Sequence, residues 1–215
     1  MLKPYAPLEE RLNIRSHFAG IVLSVVALIL LMIKASHYQD WRVWVSFFVF
    51  GFTMIVLYTA STVYHASTKP RNRYRYKIFD HIVIFIFIAG SYTPYALVTL
   101  KDQGGNLILL TVWGIALFGT VLKVFFTGRF KILSTLLYFG MGWIIVFSFD
   151  NLSKNLGEQG VFWLLAGGAA YTIGALCYSI KKLHFNHAIF HFFVLLGTFC
   201  HFLSIYLYVQ PRISI

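Results

Sequence analysis

The sequence predicts an all-α membrane protein: seven transmembrane helices in a single domain over residues 1–215, with the N-terminus cytoplasmic and the C-terminus extracytoplasmic. Three observations predict it. The chain is 59% hydrophobic and only 12% charged, where soluble domains carry about 25% charged residues. Its apolar residues gather into seven runs near the ~20-residue length that crosses a bilayer. Its basic residues are dense in alternate connections between those runs, as membrane topology demands. The formal charge of +11 therefore does not point to nucleic acid, because the cations sit between apolar runs and not over a soluble face. Helices are the only reading. Open sheets leave backbone groups unpaired in lipid, and the period-2 pattern of a barrel is absent.

The first run, 17–34, ends at Lys34 and is preceded by Glu9, Glu10, Arg11 and Arg15. No small-residue cleavage site follows it, so it is expected to stay as a helix and not to leave as a signal peptide. Glu10, Asn13 and His17 form a polar stripe at its start. That stripe either caps and packs the helix end or lines the entrance to a site, and capping is the simpler reading. The second run, 43–65, closes on "TASTVYHAS", placing Ser61 and His65 in its last turns. The third, 80–100, opens on Asp80 and His81 and contains Pro94, which should kink it. His81 adjoins Asp80 but points about 100° away, toward a neighbouring helix. The fourth and fifth runs are 106–127 and 132–149; the sixth, 160–180, holds Cys177. The seventh, 186–209, opens on "NHAIFHFF", with His187 and His191 in its first turns and Cys200 and His201 further along. Both cysteines lie in apolar runs without a CxxC, so they read as small core residues. His201, midway along its run, reads as a packed core residue, and His37 and His184 as interfacial.

Orientation follows from Lys and Arg. One side collects thirteen: Lys3, Arg11 and Arg15; Lys69 to Lys77; Lys123, Arg129 and Lys131; and Lys181 and Lys182. The other side holds five: Lys34, Arg42, Lys101, Lys154 and Arg212. The denser side is expected to be cytoplasmic. The basic "KPRNRYRYK" connection is then first of all a topology signal, although it would also suit anionic headgroups.

This topology brings distant residues to one depth. The second helix ends, and the third and seventh begin, on the same side. Ser61, His65, Asp80, His187 and His191 should all lie within two or three turns of it. His187 and His191 are spaced i, i+4 and share a helix face, as do Ser61 and His65. Two imidazoles from one helix and a third from another make a three-nitrogen cup. Zinc with three protein ligands keeps a fourth position open, the catalytic arrangement. A buried carboxylate costs several kcal/mol without a partner, and Asp80 finds one if a dication or its water stands opposite.

The stretches "STVYH", "FDHIVIFIFIAGSYTPY" and "NHAIFHFFVLLGTFCHF" resemble the hemolysin III family, the bacterial branch of the progestin and adipoQ receptors (PAQR). "EERLNIRSHFAG" and "GRFKILSTLLYFGMGW" extend the resemblance over nearly the whole chain. The Ser-x3-His, Asp and His-x3-His set is also shared, more distantly, with alkaline ceramidases. The resemblance implies Zn²⁺ on His65, His187 and His191, with Asp80 handling a water and Ser61 beside it. It also implies a multi-pass protein of the cell inner membrane that works in membrane lipid and fluidity homeostasis. The expected activity is a metal-dependent amidase or esterase acting on a membrane lipid. The alternative is a non-catalytic sensor of membrane state whose zinc clasps helices and is closed by a fourth protein ligand.

Overall fold

A computed structural model describes residues 5–126 and 131–211. Lys3, Arg129 and Arg212 lie outside the described residues, as do residue 127 of the fourth predicted run and residues 128–130 of the "GRFKIL" motif. Of Lys131 and Ile132 only the backbone is described.

Two helices begin well before their apolar runs. Helix α1 spans Pro7–Ala35, with proline in its first turn and Glu9 and Glu10 behind it. A proline at this point costs no hydrogen bond, and acids complement the helix dipole, so a polar segment can start a helix. Helix α3 spans Pro70–Pro94 and likewise starts on proline. Between them, α2 runs from Trp41 to Ala66, and the Asp40 side chain caps it by accepting from the Arg42 N–H at 2.9 Å. Pro94 has no N–H to continue the α ladder. The chain beyond it relaxes into a π-helical turn, Tyr95–Thr99, which closes with Leu100 N–H donating to the Tyr95 carbonyl at 2.8 Å.

Helix α4 spans Gly105–Phe126. Helix α5, Lys131–Trp143, passes through a 3₁₀ turn at Ile144–Ser148 into α6, Phe149–Ser179; α7 follows at Asn186–Tyr208. Among the described residues, six helices are long and apolar enough to cross a membrane, one of them the 47-residue run Leu133–Ser179. The fifth and sixth predicted runs both fall on that stretch, each overrunning it by one residue. Kept straight, it would reach about 70 Å, more than twice a ~30 Å hydrocarbon core. It is not straight: Gly157 breaks it with φ 72° and ψ 165°, a backbone region that side chains rarely tolerate. Nearby, Asn155 donates to the Thr99 carbonyl (3.0 Å) and to Gln103 Oε1 (2.8 Å). The break therefore sits beside the α3–α4 connection.

The helices pack in chain order: α1 on α2, α2 on α3, α3 on α4, with α5 against α3 and α4, and α6 on α7. Helix α7 then closes on α1, whereas α2 and α7 barely approach each other along their backbones. Gly20 lets this closure happen. A Cβ there would stand 2.5 Å from the Tyr58 ring, so only glycine leaves room for Tyr58 to pass under α1. Tyr58 thereby reaches α7, where its hydroxyl donates to Thr198 Oγ1 at 2.8 Å. Phe47, Phe50, Met54, Phe85, Tyr95 and Ile205 fill the interior. Leu110, Leu117 and Phe125, each more than two-thirds exposed, project outward where lipid would meet them.

Candidate metal centre

At one end of the bundle four helix termini meet: the starts of α1, α3 and α7 and the end of α2. His65 lies one residue before the end of α2; His187 and His191 occupy the first two turns of α7. All three are buried. His187 Nε2 lies 3.1 Å from His65 Nε2 and 3.1 Å from His191 Nε2. One ring nitrogen from each residue lies within 4.8 Å of the other two, and among the described residues no carboxylate or thiol completes that group. The donor chemistry fits a metal ion. Three imidazole nitrogens around one point suit zinc, and Zn–N bonds of ~2.0–2.1 Å in a tetrahedron place nitrogens about 3.3 Å apart. Hydrogen bonding among three neutral rings satisfies them less well, because every bond needs one ring to turn a donor toward its neighbour.

The sequence-derived partners of the cup are at the same level. Ser61 and Asp80 are buried, with the Ser61 hydroxyl beside the Asp80 carboxylate and the His65 and Lys77 side chains nearby. Asp80 is thus an immediate neighbour of the cup without joining its mutually close donor atoms.

The polar stripe of α1 does more than cap. Glu10 Oε2 accepts from His65 Nδ1 at 2.7 Å, and Asn13 Nδ2 lies 3.5 Å from the same nitrogen. His17 stacks on His191 with ring centroids 3.6 Å apart and planes inclined by 17°. Capping was the simpler reading of this stripe, and the fold turns it inward against the histidines instead. Its spacing carried the signal: i, i+3 and i+7 place the three on one face.

Other groups escaped the sequence reading. Arg73, taken there only as a topology charge, ion-pairs with Glu10 and donates to the carbonyls of His65 (3.3 Å) and Ser67 (3.1 Å). It lies seven residues before Asp80, hence on the same helix face, so a signal was available. Glu9 Oε1 accepts the His187 backbone N–H at 3.2 Å, an orphan donor of α7's first turn. Tyr5 stacks on the His187 ring at 4.6 Å, and burial pushes its phenol well above the usual tyrosine range. No sequence pattern pointed to Glu9 or Tyr5, because their partners lie about 180 residues away.

The remaining histidines do not join the three mutually close nitrogens. His37 and His184 are exposed. The His81 backbone carbonyl accepts from the Tyr138 hydroxyl at 2.7 Å. His201 lines a small apolar cleft of about 30 Å³ with Ser91, Tyr92, Tyr95, Leu164 and Gly168. Both cysteines are free thiols.

Comparison with known proteins places the chain in a family. The family model described as "Haemolysin-III related" matches residues 5–202, a stretch running from Tyr5 to just past His201. The chain is 41% identical over 206 residues to Hemolysin-3 of Bacillus cereus, covering 96% of this chain and 94% of that one. It is 40% identical over 201 residues to the Hemolysin-3 homolog of Bacillus subtilis strain 168, covering 93% and 94%. A more distant similarity, 27% over 217 residues with 94% and 86% covered, links it to the Homo sapiens monocyte to macrophage differentiation factor, a PAQR-family protein. A multi-pass helical membrane protein with this histidine cluster and these relatives belongs to the haemolysin-III-related family.

Proposed function

We propose that His65, His187 and His191 hold Zn²⁺ and that the protein is a metal-dependent hydrolase, an amidase or esterase, acting on a membrane lipid in membrane lipid and fluidity homeostasis. The observation that carries this reading is the meeting of three buried imidazole nitrogens, from two helices, beside a buried carboxylate. A divalent cation there supplies Lewis-acid chemistry, acidifying a water and polarising an acyl carbonyl. Asp80 accepts the proton of the attacking water and returns it to the departing amine or alcohol. Ser61 orients the Asp80 carboxylate and offers its hydroxyl to the oxyanion as charge develops. The apolar helices around the site accommodate the acyl chain and exclude bulk water.

With three protein ligands a bound Zn²⁺ would keep a fourth position for water, which favours chemistry over a structural clasp. The clasp needs a fourth protein ligand, and among the described residues none joins the three nitrogens. For topology, we take the run Leu133–Ser179 to cross the membrane twice, turning near Gly157. This makes seven spans, with the N-terminus and the histidine cup on the cytoplasmic side of the inner membrane. The Asn155 bonds to Thr99 and Gln103 support that turn, because they tie it to the connection between the third and fourth spans.

Purified protein should carry one equivalent of zinc by elemental analysis and should cleave a lipid amide or ester. Asp80→Asn should keep the zinc and lose the turnover. Turnover that survives in a zinc-loaded Asp80→Asn protein would sink the mechanism.

A further inference from the structure

The two helices that carry the three histidines are joined deeper in the bundle by the Tyr58–Thr198 hydrogen bond, but their backbones give little direct support to each other at the cup. Helix α2 bears His65, α7 bears His187 and His191, and their backbones barely meet. What stands between them is the first turn of α1, and it presents two adjacent carboxylates to different helices. Glu10 binds His65 through Nδ1 at 2.7 Å. Glu9 takes the backbone N–H of His187 at 3.2 Å.

Each contact does something different. A carboxylate on Nδ1 fixes His65 with its proton on that nitrogen, so Nε2 faces its neighbours with a free lone pair. Among the described residues no carboxylate bonds Nδ1 of His187 or Nδ1 of His191, so of the three rings only His65 is set by an acid. Glu10 is in turn held from two sides: Arg73 ion-pairs with it, and the Tyr5 backbone N–H donates to its Oε1 at 3.3 Å. Arg73 also donates to the His65 and Ser67 carbonyls and lies over the Tyr64 ring at 4.9 Å. The guanidinium therefore grips Glu10 and the end of α2 together, which suits its rigid fork of donors. Glu9, on α7's first turn, sets the depth at which His187 enters.

We propose that the α1 first turn assembles the metal site. Glu10, braced by Arg73, is the positioning residue for His65, and Glu9 is the positioning residue for the start of α7. This rests on the reading of the three histidines as metal ligands and deepens it. Metal affinity is then controlled by a segment that contributes no ligand.

The test is a double-mutant cycle read as zinc affinity, by competition with a fluorescent chelator, on wild type, Glu10→Gln, Arg73→Met and the double variant. Glu10→Gln, close in size to the native residue, should bind zinc roughly 10- to 100-fold more weakly. Its metal-free melting temperature should stay within a few degrees of wild type. Arg73→Met should also weaken binding, and the double variant should lose little beyond Glu10→Gln, because Arg73 works through Glu10. Zinc-edge absorption should count three imidazoles in wild type and two in Glu10→Ala. Glu10→Gln binding within twofold of wild type overturns the proposal, and so do losses that add in the double variant. If Arg73→Met fails to accumulate, the affinity of Glu10→Gln decides alone. A wild type that binds no zinc removes the metal-site reading itself. Tight wild-type binding with an unaffected Glu10→Gln removes only the positioning role.

Discussion

Helix α1 caps α7 at both ends, and the two caps could hardly be less alike. At α7's start, Glu9 accepts a backbone N–H from His187. At its finish, Lys34 Nζ donates to the carbonyls of Tyr206 (2.5 Å) and Val209 (2.8 Å), with the Phe47 and Tyr206 rings around it. Both place charge where the α7 dipole favours it, acid at the N-terminus and base at the C-terminus. Since α1 and α7 run parallel, their dipoles repel, and these caps offset that cost at each end. At the lysine end the capped residues, Tyr206 and Val209, bring no metal-binding side chain. At the acidic end the capped turn carries imidazoles that converge with one from α2. Capping is the same physics in both places, and only the side chains on the capped turns make one end a site.

That contrast can be broken at the chemical end first. Replacing His191 with Ala should reduce bound zinc from one equivalent to background by elemental analysis, since two imidazoles are a poor zinc site. Asp80→Asn should leave the metal in place and lower lipid turnover by about 10²- to 10⁴-fold, the usual share of a general base. The lysine end should respond differently. Lys34→Met should destabilise the fold by about 2 kcal/mol through lost charge-assisted bonds to α7, read as an earlier thermal transition in detergent, while zinc affinity stays at the wild-type value. Away from both ends, Gly157→Ala should cost about 1 kcal/mol or more, because alanine resists the positive φ at that break. Zinc affinity that fell as far in Lys34→Met as in His191→Ala would erase the distinction between the two ends.

Much of this was legible beforehand for a simple reason. Hydrophobic runs, basic connections and i, i+4 histidines are local patterns, and a bilayer turns local hydropathy into global topology. The depth of Ser61, His65, Asp80, His187 and His191 followed from counting spans, and the structure brings the five to one end of the bundle. The apolar run of α1 begins at 17, ten residues inside the helix, because the first turns are polar and only the Glu10–Asn13–His17 stripe marks them as helical. The i, i+7 spacing to Asp80 puts Arg73 on the site's face of α3, but its partner Glu10, 63 residues away, is set only by the packing of α1.

The sequence by itself determined that this chain is helical, that it lives in lipid, and which residues share the level of the histidine cup. It did so because lipid leaves the backbone no alternative to internal hydrogen bonding and leaves buried ionisable groups few places to be. Only the tertiary structure decided that α1 stands between α2 and α7, with Glu10 turned to one and Glu9 to the other. That arrangement depends on which helices pack side by side, and on a glycine at position 20 that admits the Tyr58 ring. Neither can be read from a pattern confined to a single helix.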